Sequence, residues 1–184
     1  MTTLILVRHG KTDWNKQNRI QGTTDIPLNE EGRHDAMRIA DELKEFKINA
    51  VYSSCLLRSS ETAKIIAEKY KLIPKKMKDL NELHQGLWQG LCVSDIKKRY
   101  KKQFFAWKAS PILLKPPKGE SMKDAYKRTI TVTKKILGKC KGKIVCIVTH
   151  EIIISLIKCY LTKGDPADIW SMVPTIGSWE LIEL

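Results

Sequence analysis

Two short apolar runs, Leu4-Ile5-Leu6-Val7 and Ile144-Val145-Cys146-Ile147-Val148, each stop abruptly at a polar pair, Arg8-His9 in the first case and Thr149-His150 in the second. Runs of this length, rich in β-branched residues and without helical period, predict strands buried on both faces, as in a parallel sheet covered by helices. Between them in the sequence, Ala50-Val51-Tyr52-Ser53 predicts another short buried strand, the second in chain order. Between the strands lie amphipathic segments. Pro27-Leu28-Asn29-Glu30-Glu31-Gly32 reads as a helix start, with Asn29 as N-cap and acids in the first turn. Ala36, Ile39, Ala40, Leu43 and Phe46 then keep helical spacing. Further helices are expected over residues 56–70, 96–107, from the cap Ser121 to about 137, and from His150 to about 162. Residues 72–77 carry proline and lysine and predict an edge strand; residues 178–184 predict a final alternating strand. Residues 12–15 are expected to continue as a polar loop, 79–92 as a long irregular loop, and 110–119 as a proline-bearing loop. Strands alternating with helices make this an α/β fold. The expected architecture is a single domain over residues 1–184, a three-layer α/β/α sandwich whose sheet is mostly parallel with one antiparallel edge strand.

Composition narrows the function classes. A chain of 184 residues, 42% hydrophobic and 29% charged, can close one sizeable core and is globular rather than disordered. No apolar run approaches the roughly 20 residues that span a bilayer, and the amino terminus lacks the pattern of a signal peptide, so the cytoplasm is the expected location. The five cysteines are scattered, without a CxxC pair or zinc-ligand spacing, and read as free thiols. The net charge of +13 is concentrated: from Lys97 to Lys143 there are 16 Lys or Arg residues against Glu120 and Asp124, a local net of +14. Such a field steers anionic ligands, or is a solvated lysine face. Only seven of the 33 basic residues are arginine, the residue that reads bases, so no nucleic acid partner is expected.

The chemistry-bearing residues sit at strand ends. Arg8 and His9 close the first strand, Arg58 opens the helix after the second, and His150 closes the fourth. Strands of a parallel sheet deliver their carboxyl ends to one rim, where helix amino ends add backbone donors. Two arginines and two histidines on one rim make a pocket for a dianion such as a phosphoryl group. On this evidence alone His9 is either a nucleophile or a phosphate contact.

The blocks Leu6-Val7-Arg8-His9-Gly10-Lys11-Thr12-Asp13-Trp14-Asn15, Ile20-Gln21-Gly22-Thr23-Thr24-Asp25-Ile26-Pro27-Leu28-Asn29, Tyr52 through Ala63, Leu80 through Gly90, Gly119-Glu120-Ser121 and Val148-Thr149-His150 together resemble the histidine phosphatase superfamily, the phosphoglycerate mutase-like enzymes. The blocks run in family order across nearly the whole chain. The resemblance implies that His9 is the nucleophile and forms a phosphohistidine, and that Arg8, Arg58 and His150 hold the phosphoryl oxygens with Asn15 as a neutral donor. It implies that Glu82 is the general acid, and it places Gln21 and Gly22 on the loop flanking the substrate. Neither a metal nor another cofactor is expected. The implied partner is a small anionic phosphomonoester; a homodimer is the oligomeric option left open.

Within that family the short chain resembles the phosphatases rather than the longer cofactor-dependent phosphoglycerate mutases. Gly119-Glu120-Ser121, Ile154-Ser155-Leu156, Ile169-Trp170 and Gly177-Ser178-Trp179 look most like α-ribazole 5′-phosphate phosphatases of cobalamin biosynthesis, the named alternative to a broader phosphatase. Behind these stand a mutase and a non-catalytic basic binding protein on the same scaffold, the latter suggested by the mixed lysines and aromatics of residues 97–108. The same lysines read equally as an entrance that gathers anionic substrates. Two departures from the family pattern stand out. Glu151 follows His150 where glycine is usual, and either raises the pKa of His150, repels the phosphate, or points away as a first-turn acid. Ile176-Gly177-Ser178 replaces an Asn-Ala-Ser-like turn, which puts a side-chain contact there in doubt. Lys11, in place of a usual glutamate, is expected to make the entrance more positive. Trp14 and Trp88 either line the pocket or pack beneath it; His34 is expected to be exposed, and His84 is open between loop packing and substrate contact.

Overall fold

The strand ends predicted to meet do so because of sheet order. The computed structural model describes residues 1–113 and 115–184. In chain order its elements are β1 (Thr3–Arg8), α1 (Asp13–Lys16), α2 (Glu30–Glu42), β2 (Ile48–Ser53), α3 (Leu57–Glu68), β3 (Lys75–Lys76), α4 (Val93–Arg99), α5 (Lys101–Ala109), α6 (Met122–Lys139), β4 (Ile144–Thr149), α7 (Glu151–Thr162) and β5 (Trp179–Glu183). The strands form one sheet in the order β3-β2-β4-β1-β5. Four of them run parallel, and β5 pairs antiparallel with β1 at the edge, as expected. β1 and β4 lie side by side in the middle, with Arg8 opposite Thr149.

Period-two alternation sorts the strand residues between two helical layers. Ile5, Val7, Val51, Cys146 and Val148 face α2 and α3, packing on Ile39, Ala40, Leu43, Ala63 and Ile66. Leu4, Leu6, Tyr52, Val145 and Ile147 face α6 and α7, packing on Met122, Ala125, Val132, Ile136 and the Ile152–Ile154 turn. The result is the expected three-layer sandwich. Arg8 follows Leu4 and Leu6 on the α6/α7 face, so its side chain emerges toward the start of α7. A third cluster, Trp88, Ile96 and Phe104, forms under the 79–92 loop.

Local capping explains most boundaries. The Asn29 side chain accepts from Gly32 N, and the Ser121 side chain from Asp124 N, as N-caps do. Helix α3 lacks a cap of its own; Asp25 supplies it from a distant loop, accepting from Leu57 N at 2.6 Å. Several expectations need correction. Residues 13–16 form one helical turn rather than a loop, because Thr12 and Asn15 make a reciprocal capping box. The expected helix over 96–107 is two helices, α4 and α5, that meet at Tyr100, whose backbone leaves the helical region (φ −123°, ψ 38°). The edge strand predicted over 72–77 shrinks to Lys75–Lys76. Within the loop expected over 110–119, Pro111–Leu113 forms a 3-10 turn, and Leu114 lies outside the described residues.

The amino end of α2 is pressed onto the loop that leaves β1. A Cβ on Gly32 would lie 2.1 Å from Lys11 O, and one on Gly10 would lie 2.2 Å from Gly32 O. At an open helical position, replacing glycine by alanine gains up to about 1 kcal/mol. Here the sign reverses: Gly32→Ala is expected to lower stability by about 2 kcal/mol or more, through overpacking against backbone. A urea-denaturation midpoint at or above that of the wild type contradicts this packing.

Candidate active site

The carboxyl end of β1, the amino ends of α3 and α7 and the loops around residues 20–22 and 82–85 surround a cavity of about 110 Å3. Its walls include Arg8, His9, Asn15, Gln21, Arg58 and Glu82, all six drawn from the residues singled out in the sequence. Gly22 lies on the same wall. His150 joins them from below: its ring centroid is 5.1 Å from that of His9, and His9 N donates to Thr149 O at 3.2 Å. Adjacent parallel strands ending in register thus place the two imidazoles side by side.

His9 is held in one tautomer. Its Nδ1 lies 2.7 Å from Gly10 O, and a carbonyl only accepts, so Nδ1 carries the proton. Nε2 is then the lone-pair nitrogen, and Arg58 Nε donates to it at 3.2 Å. Burial, reinforced by the charges of Arg58 and Arg8, holds the His9 pKa well below the usual histidine range. His9 is therefore neutral with its nucleophilic nitrogen exposed to whatever replaces the Arg58 contact.

His150 is also neutral, its pKa lowered by burial and then by Arg58 and His9. Its Nε2 pairs with Ser54 Oγ at 2.7 Å. Leu56 N also donates to Ser54 Oγ at 3.2 Å, and a hydroxyl that accepts there can still either donate to His150 Nε2 or accept from it. His150 Nδ1 is buried and has no partner among the described residues. With the Ser54 proton directed at Nε2, a neutral His150 carries its own proton on Nδ1 and is a donor beside His9.

Arg58 organises the opposite wall. It is 1% exposed, and its Nη1 and Nη2 donate to Thr24 O (2.9 Å) and Gly22 O (2.7 Å). Burial pulls its pKa down to about 10, which leaves it charged at neutral pH. Gly22 adopts φ +51°, and a Cβ there would lie 2.3 Å from Gln89 Oε1, so glycine is required by both backbone and space. The Gln89 side chain accepts from Thr23 N at 2.9 Å and from Gln85 N at 3.2 Å, joining the two loops. Gln21 makes no bond to the loop backbone through Oε1, which is buried without a partner. In Asn15 the Oδ1 takes bonds from Thr12 N and Thr12 Oγ1, both at 2.9 Å, which leaves the amide nitrogen for the cavity.

Glu82 is 7% exposed, and burial raises its pKa to about 7, with Glu151 contributing in the same direction. Backbone bonds from Leu83 N (2.8 Å) and Ile152 N (3.4 Å) oppose the shift. Its irregular loop is made rigid from outside. Arg128 donates to the carbonyls of Asp79 (2.7 Å), Asn81 (2.8 Å) and Glu82 (3.3 Å) and makes a two-point ion pair with Glu120. Thr149 Oγ1 ties Leu80 O from the end of β4 at 2.6 Å.

Arg8 differs from expectation. Its Nη1 donates to Pro174 O at 2.6 Å and its Nη2 to Glu151, while Nε is buried and unpaired. Glu151 therefore neither faces His150 nor points away: it lines the cavity as the counter-ion of Arg8. Lys11 does not line the cavity either; it pairs with Glu31 of α2 at 3.4 Å. Trp88 is fully buried and packs beneath the loop, and Trp14 lies against Gly90. His34 is exposed, as is His84, whose backbone N donates to Glu120 at 3.4 Å. The 176–178 turn contributes backbone alone, Gly177 N donating to His9 O at 3.1 Å. Lys97, Lys98, Lys101 and Lys102 are exposed on α4 and α5 and are not among the lining residues.

The sequence reading missed Ser54, Gln85, Trp107, Arg19, Arg128 and the role of Glu151. Ser54 alone carried a signal, standing one residue past β2 as His9 and His150 stand past β1 and β4. Among the described residues no three His, Cys, Asp or Glu side chains group to hold a metal, and no helix is long and apolar enough to cross a membrane.

A lone-pair nitrogen, an acid of pKa near 7 and several converging donors are what displacement at phosphorus needs. The family model for the histidine phosphatase superfamily (branch 1) matches residues 4–184. Phosphoglycerate mutase-like protein 4 of Arabidopsis thaliana is 41% identical over 150 residues, 80% of this chain and 65% of that protein, so the chain spans about two thirds of that relative. Phosphoserine phosphatase 1 of Hydrogenobacter thermophilus is 30% identical over 184 residues, all of this chain and 87% of its own length. A metal-independent phosphoserine phosphatase of Arabidopsis thaliana is 37% identical over 171 residues, 91% and 71% of the two chains. Among solved structures, YhfR of Bacillus stearothermophilus superposes with a TM-score of 0.92 at 32% identity, covering 100% of this chain and 92% of its own. The α-ribazole phosphatase of Shigella flexneri, at 23% identity and TM-score 0.89 over 99% and 90% of the chains, shares the fold.

The tautomer of His9 is directly measurable. In 15N-resolved NMR of the imidazoles, His9 is expected to show a protonated Nδ1 and an unprotonated Nε2, unchanged as the pH falls through the ordinary histidine range. A titration midpoint at the ordinary histidine value of about 6.5 contradicts the buried, arginine-flanked site described here.

Proposed function

The chain belongs to the histidine phosphatase superfamily, and from that premise we propose that it is a phosphoric monoester hydrolase working through a phosphohistidine on His9. The observation that carries the proposal is the pairing of a neutral His9, with Nε2 free to attack, and a Glu82 whose pKa is raised to about 7 in the same cavity. The phosphoryl dianion displaces the Arg58 contact from His9 Nε2 and takes donors from Arg58, Arg8, Asn15 and His150. Nε2 then forms the N–P bond while the P–O bond to the alcohol breaks. The electron pair leaves on the alcohol oxygen, which takes its proton from Glu82. The Glu82 carboxylate next removes a proton from water, water oxygen attacks phosphorus, and the N–P bond returns its pair to Nε2. A covalent intermediate splits one hard displacement into two easier ones. Transition-state charge on the equatorial oxygens is met by fixed cations and dipoles.

Positive charge from Arg58, with the donors around it, fills the role that a metal fills in other phosphatases, which supports a metal-independent reaction. The name of the Arabidopsis thaliana phosphoserine phosphatase points the same way. Phosphoserine stands first among candidate substrates, because two relatives of 30% and 37% identity carry it in their names. α-Ribazole 5′-phosphate rests on short motifs and on a likeness of fold.

A panel of phosphoserine, α-ribazole 5′-phosphate, 3-phosphoglycerate and sugar phosphates, run with EDTA, tests the proposal. Turnover is expected to persist in EDTA and to vanish in His9→Ala. Glu82 must be protonated to release the alcohol, so kcat/KM falls as pH rises through about 7. In Glu82→Gln, kcat is expected to drop on the order of 100-fold for poor leaving groups, and the alkaline limb to disappear. A retained limb in Glu82→Gln removes Glu82 from the acid role. Turnover that depends on added metal removes the metal-free mechanism.

A further inference from the structure

Glu151 stands at the rim of the cavity, and nothing in the reaction above uses it. It opens α7 immediately after His150, lines the cavity and bonds to Arg8 Nη2. Its side chain is 37% exposed against 10% for Arg8, so the carboxylate is the outer member of the pair. Arg8 is anchored on its other terminal nitrogen by Pro174 O, while its buried Nε has no partner. Arg8 thus enters the cavity with both terminal nitrogens already paired. The charge on the walls is then sparse. Glu151 balances Arg8, and with Glu82 protonated, as the reaction requires, Arg58 and Arg19 are left against a phosphoryl group of charge −2. Arg58 is spent on that group and on two loop carbonyls; Arg19 is bonded to Gly90 O (2.6 Å) and Gln17 (2.7 Å). One dianion neutralises the cavity, and a second anion near the start of α7 meets a carboxylate.

We propose that Glu151 is a specificity-determining residue, which selects phosphomonoesters whose alcohol half carries a cationic group toward the start of α7 and rejects those that carry a second anion there. The inference rests on the phosphatase reading for its use but on the cavity geometry for its content. At a partly exposed site one unit charge several ångströms away changes affinity by roughly tenfold.

Three phosphates of matched length isolate the effect: 2-aminoethyl, propyl and 2-carboxyethyl phosphate. In the wild type, kcat/KM is expected to fall in that order, with the ammonium ester ahead of the carboxylate ester by about tenfold or more. In Glu151→Gln that ratio is expected to collapse toward one, the carboxylate ester gaining and the ammonium ester losing. The same three compounds are titrated into His9→Ala and His9→Ala/Glu151→Gln protein, where Kd reports recognition without turnover. The order of Kd should follow the same charge series in the first and flatten in the second. A ratio that is near one in the wild type, or that survives Glu151→Gln, overturns the proposal even if all three esters are hydrolysed. Charge-ordered Kd values without any turnover would instead uphold Glu151 and remove the phosphatase reading.

Discussion

The buried guanidinium of Arg58 is the point on which the site depends. A charge taken out of water costs several kcal/mol unless its donors are met. Here the loop carbonyls of Gly22 and Thr24 and the lone pair of His9 meet them. That satisfaction does two things at once. It shapes the 20–24 loop into a wall, with Gly22 at φ +51°, and its charge adds to burial, the larger cause, in keeping both His9 and His150 neutral. A neutral histidine attacks phosphorus; a protonated one cannot. Arg58 is in place before any substrate arrives, so little reorganisation is needed when phosphoryl oxygens replace His9 Nε2 as its partner.

Sheet order supplies the rest. Because β4 inserts between β1 and β2, the residues that follow β1, β4 and β2, namely His9, His150 and Ser54, fall in a row. Gly10 fixes the tautomer of His9, and Ser54 is the partner of His150 Nε2. Glu82 has no strand or helix beneath it. Its placement is bought by Arg128 and Thr149, which grip the carbonyls of the loop on both sides of the carboxylate.

Much of this was legible in the order of residues. Apolar runs that end at Arg8-His9 and Thr149-His150 announce both the parallel sheet and the rim on which chemistry collects. Arg58 was readable because a helix start after a strand points to that same rim. Glu82 was not readable from pattern, since an irregular loop has no period; it came from the family resemblance of its surroundings. The contact of Arg8 with Glu151 spans 143 positions and leaves no local trace. The loop ties of Arg128 are invisible for the same reason. The short helix at 13–16 has too few residues for periodicity, although its Thr12 and Asn15 caps were there to be seen. Local signals therefore located the anion-binding rim, and tertiary pairing decided which cations remain free on it.

The central claim is that His9 Nε2 carries the phosphoryl group between its two displacements. Rapid alkaline quench during turnover of a labelled phosphomonoester, followed by peptide mapping, tests it most directly. The account predicts one acid-labile, base-stable phosphoryl group on His9, accumulating further in Glu82→Gln with an activated leaving group and lost in His9→Ala. Turnover with the label on another residue, or with none on His9 in either protein, would contradict it.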